Sequence, residues 1–169
     1  MKTFYSIFCL VFLFIACQPK VDNAANEAFE KNSLTALANI EGFENEAMDY
    51  SMYADNFVLY ETNFGANDSL NLDDIKSRDA ELWEMYDFEM LTDPVVLLPG
   101  VNAETKVPDG SVRYYGDWKV TLPATDSTEA RSGVMRMYES FDFDADGKIL
   151  YQQAYADFTG LFMYLHSEE

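Results

Sequence analysis

The stretch RSGVMRMYESFDF-DADGK-ILYQQAYAD, residues 131–157, decides how this chain folds. Arg131 to Phe143 reads as one long strand. By the period of two, Met135, Met137, Glu139 and Phe141 share a face, and that face is apolar apart from Glu139. Asp144-Ala145-Asp146-Gly147 has the composition of a hairpin turn, so the chain reverses there. Ile149 to Asp157 returns as the last strand, with Ile149, Tyr151, Gln153 and Tyr155 expected on one face. Working outward, Val112 to Leu122 alternates in the same way. Val112, Tyr114, Gly116, Trp118, Val120 and Leu122 face one side, and Arg113, Tyr115, Asp117, Lys119 and Thr121 the other. Phe88 to Leu98 reads as a further strand, with Asp93-Pro94 pointing to an edge or a bulge.

The first half of the chain carries helical spacing instead. Ala28, Phe29, Leu34, Leu37 and Ala38 mark a first helix, which Gly42 is expected to break. Phe43, Ala47, Tyr50 and Ala54 then suggest a second. Phe57 to Tyr60 is a short strand. Asn71, followed by Asp73 and Asp74, fits the capped start of a third helix whose buried stripe carries Ile75, Leu82 and Tyr86. Phe158, Leu161, Phe162 and Leu165 suggest a closing helix. Helices followed by a run of strands is an α+β layout. A strongly bent antiparallel sheet of this kind can wrap around the N-terminal helices and leave a pocket between the layers.

The ends and the composition narrow the classes of function. Lys2 precedes an apolar run from Phe4 to Ile15, too short to span a bilayer, which needs about 20 residues. Leu13-Phe14-Ile15-Ala16-Cys17 resembles a lipobox, although Phe14 stands where Leu is commonest. Residues 1–16 are therefore expected to be a lipoprotein signal peptide, 17–25 a tether after a lipidated Cys17, and 26–169 one folded domain. Such processing places the domain outside the cytoplasm, anchored in a bacterial envelope, periplasmic or surface-facing. It removes Cys9 and acylates Cys17, the only two cysteines, so disulfides and cysteine-based metal or thiol chemistry are not expected. It also removes Lys2 and no acid, which moves the formal charge from -19 to -20. So acidic a chain repels phosphate backbones and anionic headgroups. Nucleic acid is not an expected partner, and the membrane is held through acyl chains rather than a basic patch.

Specific short motifs also resemble those of a known superfamily. Tyr53-Ala54-Asp55-Asn56 resembles the "YADD" motif of nuclear-transport-factor-2-like proteins, a group that includes SnoaL-like polyketide cyclases and ketosteroid isomerase. Asp146-Gly147-Lys148-Ile149 resembles its "DGKI" hairpin, and Tyr155-Ala156-Asp157 with Leu161 and Leu165 its "YFD…L…L" ending. The resemblance covers about residues 26 to 166. It implies a cone-shaped fold, a bent sheet closed by helices with a pocket at one end, and it leaves function open, because this fold carries many. Relatives often dimerise through the outer sheet face, so a homodimer is among the expectations.

The resemblance supplies candidate catalytic residues. The position of the isomerase's general base falls on Glu61, and that of its protonated oxyanion-hole acid on Glu139. A carboxyl on an apolar stripe stays neutral and can donate a hydrogen bond, as the isomerase itself illustrates. The alternative for Glu139 is a salt bridge, and for Glu61 a solvated strand end. Asp157 matches an aspartate that points into the pocket in many relatives, or else caps the closing helix. The isomerase's oxyanion tyrosine has no counterpart, since the corresponding position is Leu37 and the first helix holds no tyrosine. Tyr50, Tyr53, Trp118, Tyr151, Gln153 and Tyr155 are the candidate ligand-binding residues, combining aromatic bulk with hydrogen-bonding tips. Asp142, Asp144, Asp146 and Gly147 mimic the opening of a calcium loop, but Gln153 stands where the bidentate glutamate belongs, so no metal is expected there. No cofactor motif occurs.

Three functions remain open on these residues. One is a non-enzymatic envelope lipoprotein with a pocket for a small apolar or aromatic molecule. Another is a SnoaL-like isomerase or cyclase that uses pocket carboxylates for proton transfer. The third is a structural or partner-binding module. The anchor is common to all three: Cys17→Ser is expected to release the protein from the membrane fraction, and continued retention with no acyl mass on the N-terminal peptide would refute it.

Overall fold

The computed structural model describes residues 23–66 and 69–167. The expected signal peptide, Cys17 and most of the expected tether lie outside them. α1 (Ala24–Glu44) is followed by a 3₁₀ turn (Tyr50–Met52), β1 (Tyr53–Tyr60), β2 (Ser69–Leu70), α2 (Leu72–Met85), β3 (Asp87–Met90), β4 (Val96–Val101), β5 (Pro108–Leu122), β6 (Arg131–Phe143), β7 (Ile149–Tyr155) and α3 (Phe158–Leu165). The seven strands form one curved, unclosed sheet in the order β2-β1-β7-β6-β5-β3, with β4 also paired to β5. The fold class is the expected α+β cone. The pairings are antiparallel except at β1–β7, which is parallel and makes the sheet mixed.

Several expected elements form where local chemistry specifies them. Asn71 caps α2 by accepting from the Asp73 and Asp74 amides, while Asp74 accepts from the Asn71 amide, a complete capping box. Asp157 caps α3 by accepting from the Gly160 amide at 2.9 Å. The turn after β6 closes through Asp144, whose Oδ1 accepts from the Asp146 and Lys148 amides, and Gly147 adopts a positive φ of 83°. Asp142 pairs with Arg113 at 3.0 Å, so two of the three calcium-loop acids are engaged within the sheet and turn.

Other boundaries differ. Gly42 does not end α1, which runs on to Glu44, and the expected second helix contracts to the 3₁₀ turn. The chain returns past Gly42, where a Cβ would lie 3.4 Å from Met48, an ordinary packing distance. The expected strand over 88–98 is two strands, β4 runs on to Val101, and β5 begins at Pro108, ahead of the expected Val112.

The core lies on the concave face. Tyr114, Phe141, Ile149 and Val112 are wholly buried there against Ala36 and Ile40 of α1. α1 is fixed at the far end by Asn32, which donates to the Gly110 carbonyl at 2.9 Å. At the other end the His166 ring and the Tyr86 hydroxyl, 2.7 Å apart, hold the C-terminus against α2.

Candidate functional site

Between the concave sheet face and the helices lies a cavity of about 200 Å³ that reaches the surface at Glu61, Thr62 and Asn63. Its wall is mostly apolar. The sheet contributes Leu59, Trp118, Met135 and Met137, and the helices Ile40, Phe43, Ile75 and Leu82. Trp118 packs edge-on against Phe43, with centroids 6.0 Å apart.

Glu139 stands within this wall. It is 7% exposed, and its Oε1 accepts from Gln152 Nε2 at 2.6 Å. No salt bridge of Glu139 forms among the described residues. Burial pushes its carboxyl up to about 7. The Gln152 hydrogen bond and the Arg78 charge oppose the shift, and the Asp79 charge adds to it. Near neutral pH this side chain is therefore poised between acid and carboxylate.

A second buried carboxyl shares the cavity. Asp79 of α2 is 2% exposed, and burial again raises its pKa. Its Oδ2 accepts from the Tyr50 hydroxyl at 3.2 Å. Its Oδ1 lies 3.7 Å from Arg78 Nη2, an ion pair too long for a hydrogen bond, and has no hydrogen-bond partner. Gln152 Oε1 and Arg78 Nε are likewise buried without one. The sequence signal for Asp79 was its spacing: residues 75, 79, 82 and 86 form one helical stripe, so Asp79 sits among the buried Ile75 and Tyr86 and the partly buried Leu82.

The other candidates separate into two groups. Glu61 lies at the mouth, just past the end of β1, beside Thr62, whose hydroxyl donates to the Ala154 carbonyl. Tyr53 and Trp118 line the cavity. Asn39 donates to the Tyr53 hydroxyl at 2.6 Å, and burial holds the Tyr53 phenol well above its ordinary range. Tyr50 reaches the site through Asp79, and burial followed by the Asp79 charge moves its phenol up to about 12.

Asp157 is exposed at the start of α3 and does not line the cavity. Tyr151, Gln153 and Tyr155 turn to the convex face, contrary to expectation. The cause is a register shift between β6 and β7: Phe143 pairs Ile149 and Asp142 pairs Tyr151, so Leu150 is a bulged residue. One extra residue reverses the alternation. Ile149 stays in the core, and beyond the bulge Gln152 and Ala154 face inward. On the convex face Tyr151 donates to Gln153 at 2.9 Å and packs on Tyr60, while Tyr155 packs on Tyr138.

The buried acid gives a pH signature with a definite sign. The pKa of Glu139 is raised on folding, so the native state holds a proton that the unfolded chain releases between about pH 4.5 and 7. Stability contributed at low pH is lost across that window as pH rises. Glu139→Gln, which keeps the shape and offers its amide to Gln152 Oε1, is expected to stabilise the fold at pH 8 by up to about 3 kcal/mol, with the gain vanishing near pH 4.5. Urea unfolding at several pH values reads this, and a pH-independent difference would refute it.

No family model matches the sequence, and no curated protein matches it. Solved structures do resemble it in fold. A proposed polyketide cyclase from Xanthomonas campestris pv. campestris has a TM-score of 0.64 at 16% identity, covering 83% of this chain and 99% of its own. An NTF2-like protein from Burkholderia xenovorans LB400 has a TM-score of 0.59 at 9% identity, covering 82% and 98%. An LEH-like epoxide hydrolase from M. tuberculosis has a TM-score of 0.57 at 14% identity, covering 81% and 90%. The chain has the cone fold of the nuclear-transport-factor-2-like and SnoaL-like proteins, and at these identities its chemistry has to be read from its own cavity.

Proposed function

We propose that this protein is a lipid-anchored envelope protein whose cone binds a small, mainly apolar or aromatic molecule, without turning it over. The observation that carries this reading is the cavity itself: about 200 Å³, with an apolar wall and a few polar groups converging in it. An engineered apolar cavity of about 150 Å³ admits benzene, so this one has room for a single ring and a short substituent. A larger body has to extend through the mouth beside Glu61. The predicted anchor at Cys17 keeps the binding module at the membrane surface, where apolar molecules concentrate.

A proton-transfer enzyme is the second reading. What favours it is the presence of two buried carboxyls, Asp79 and Glu139, in one cavity. Tyr53 adds a buried phenol to the same wall. In that case hydrogen–deuterium exchange beside the carbonyl of phenylacetone would exceed the buffer rate and fall in Glu139→Gln and Asp79→Asn; exchange at the buffer rate rules it out.

The binding reading is tested on the purified full-length protein by carbon-13 NMR of the methionine methyls. Met48, Met135 and Met137 line the cavity, whereas Met163 is 70% exposed on α3. Titration with benzyl alcohol, toluene or indole is expected to shift the first three and leave Met163 in place. Ala154→Phe, which fills the cavity from β7, is expected to abolish the shifts. A panel of one-ring compounds, charged ones included, that moves none of the lining methyls would sink the proposal.

A further inference from the structure

The polar groups in the cavity are matched to one kind of ligand charge. Two buried carboxyls, Asp79 and Glu139, line it with a third, Glu61, at its mouth, and one guanidinium accompanies them. Arg78 lies against Asp79 and offsets that charge first, whereas Glu139 is hydrogen-bonded by the neutral amide of Gln152 and feels Arg78 only as a more distant charge. An ionised Glu139 is thus a buried anion without an ion-pair partner of its own, which is costly. Two further acceptors, Asp79 Oδ1 and Gln152 Oε1, are buried without a donor. Among the unpartnered donors, Arg78 Nε belongs to a guanidinium that already has its anion, and Trp118 Nε1 turns to the Tyr114 hydroxyl, too loosely for a geometric hydrogen bond. What the cavity lacks is a cation with several N–H donors. Aromatic side chains stand in the same wall, Tyr53, Phe43, Phe88 and Trp118, and ring faces attract ammonium groups. Glu61 at the mouth and a net charge of -19 draw cations toward it.

We propose that the cavity selects a one-ring apolar amine in its protonated form, which enters amine first and places its ammonium among Asp79, Glu139 and Gln152. This rests on the binding reading above and adds the ligand's chemical class. The ammonium supplies donors to Asp79 Oδ1, Gln152 Oε1 and Glu139, and its charge permits Glu139 to ionise. Binding is therefore coupled to loss of the Glu139 proton. The titratable or charged groups around Glu139 are Asp79 and Arg78 of α2, Tyr53 and Glu61 at the two ends of β1, and Tyr114 of β5. Of these Asp79 and Glu61 also favour the cation, Arg78 opposes it, and the two tyrosines stay neutral below pH 8.

Calorimetry on the full-length protein with benzylamine, benzyl alcohol and benzoate, near-isosteric probes of different charge, decides the matter. At pH 8 benzylamine is expected to bind at least about tenfold more tightly than benzyl alcohol, with benzoate weakest. Between pH 8 and pH 6 the amine should weaken several-fold as Glu139 takes up its proton, while the alcohol should not change. Asp79→Asn and Glu139→Gln should each remove the amine's advantage over the alcohol. The proposal is overturned if the alcohol or benzoate binds as tightly as the amine, or if the amine's advantage survives both substitutions; the cavity then remains a binding site of another class. If none of the three binds or shifts a lining methyl, the binding reading fails and this one with it.

Discussion

Eleven consecutive β5–β6 pairs, from Val112 opposite Phe141 to Leu122 opposite Arg131, constrain everything else in the molecule. A slip of one residue would turn every side chain of the moving strand to the other face. In the register observed, Tyr114, Trp118, Met135 and Phe141 are all buried on the concave side, and an apolar penalty on both strands opposes any slip. Glu139 is carried inward by the same constraint. It lies between Met137 and Phe141 on a face that the register commits to the core, so its carboxyl is carried into the cavity wall rather than to the outer surface. The site begins as a consequence of strand pairing.

Two acids in one cavity meet that condition differently. Asp79 has a hydroxyl donor in Tyr50 and a cation in Arg78, while Glu139 has one amide and no cation of its own. A carboxyl with so little compensation keeps its proton to a pH near 7, because holding it neutral costs less than burying an unpaired ion. α2 is remote in sequence from the β6–β7 hairpin that carries the other groups. α2 is placed by its capping box, β6 by its pairing with β5, and Gln152 by the bulge that precedes it. Each placement is local and separately specified.

How much of this was legible in the sequence follows from the range of each interaction. β6, its hairpin, the α2 cap and the inward face of Glu139 depend on residues within a few positions of one another, and the residues alone indicated them. The parallel β1–β7 pairing joins strands some ninety positions apart and leaves no local trace, and a single glycine in a helical pattern such as Gly42 is compatible with a continuation as well as a stop. The Leu150 bulge is the instructive case. Strict alternation from Ile149 assigns Tyr151, Gln153 and Tyr155 to the pocket, and one unpaired residue sends all three outward. Asp79 differs again: its place on the Ile75–Leu82–Tyr86 stripe was visible, and the argument applied to Glu139, an acid on an apolar face, would have found it.

The aromatic richness of the chain also divides by face. Tyr115, Tyr138, Tyr151 and Tyr155, on the convex face, do not line the cavity, whereas Tyr60 reaches its rim. Tyr115, Tyr138 and Tyr155 stand side by side on β5, β6 and β7, with ring centroids 5.0 and 5.9 Å apart, and Tyr60 packs on Tyr151 at 5.5 Å. Such cross-strand pairs stabilise a sheet by roughly 0.2–1 kcal/mol each and cover the backbone of strands whose other face is committed to the core. That division has a chemical consequence. With the tyrosine ladder outside, the hydrogen-bonding capacity left inside is the small set around Glu139, Asp79 and Gln152, together with Asn39 and Tyr53, which largely satisfy each other. The chemistry of the cavity is consequently governed by its acids, and the phenols in its wall serve mainly as apolar surface.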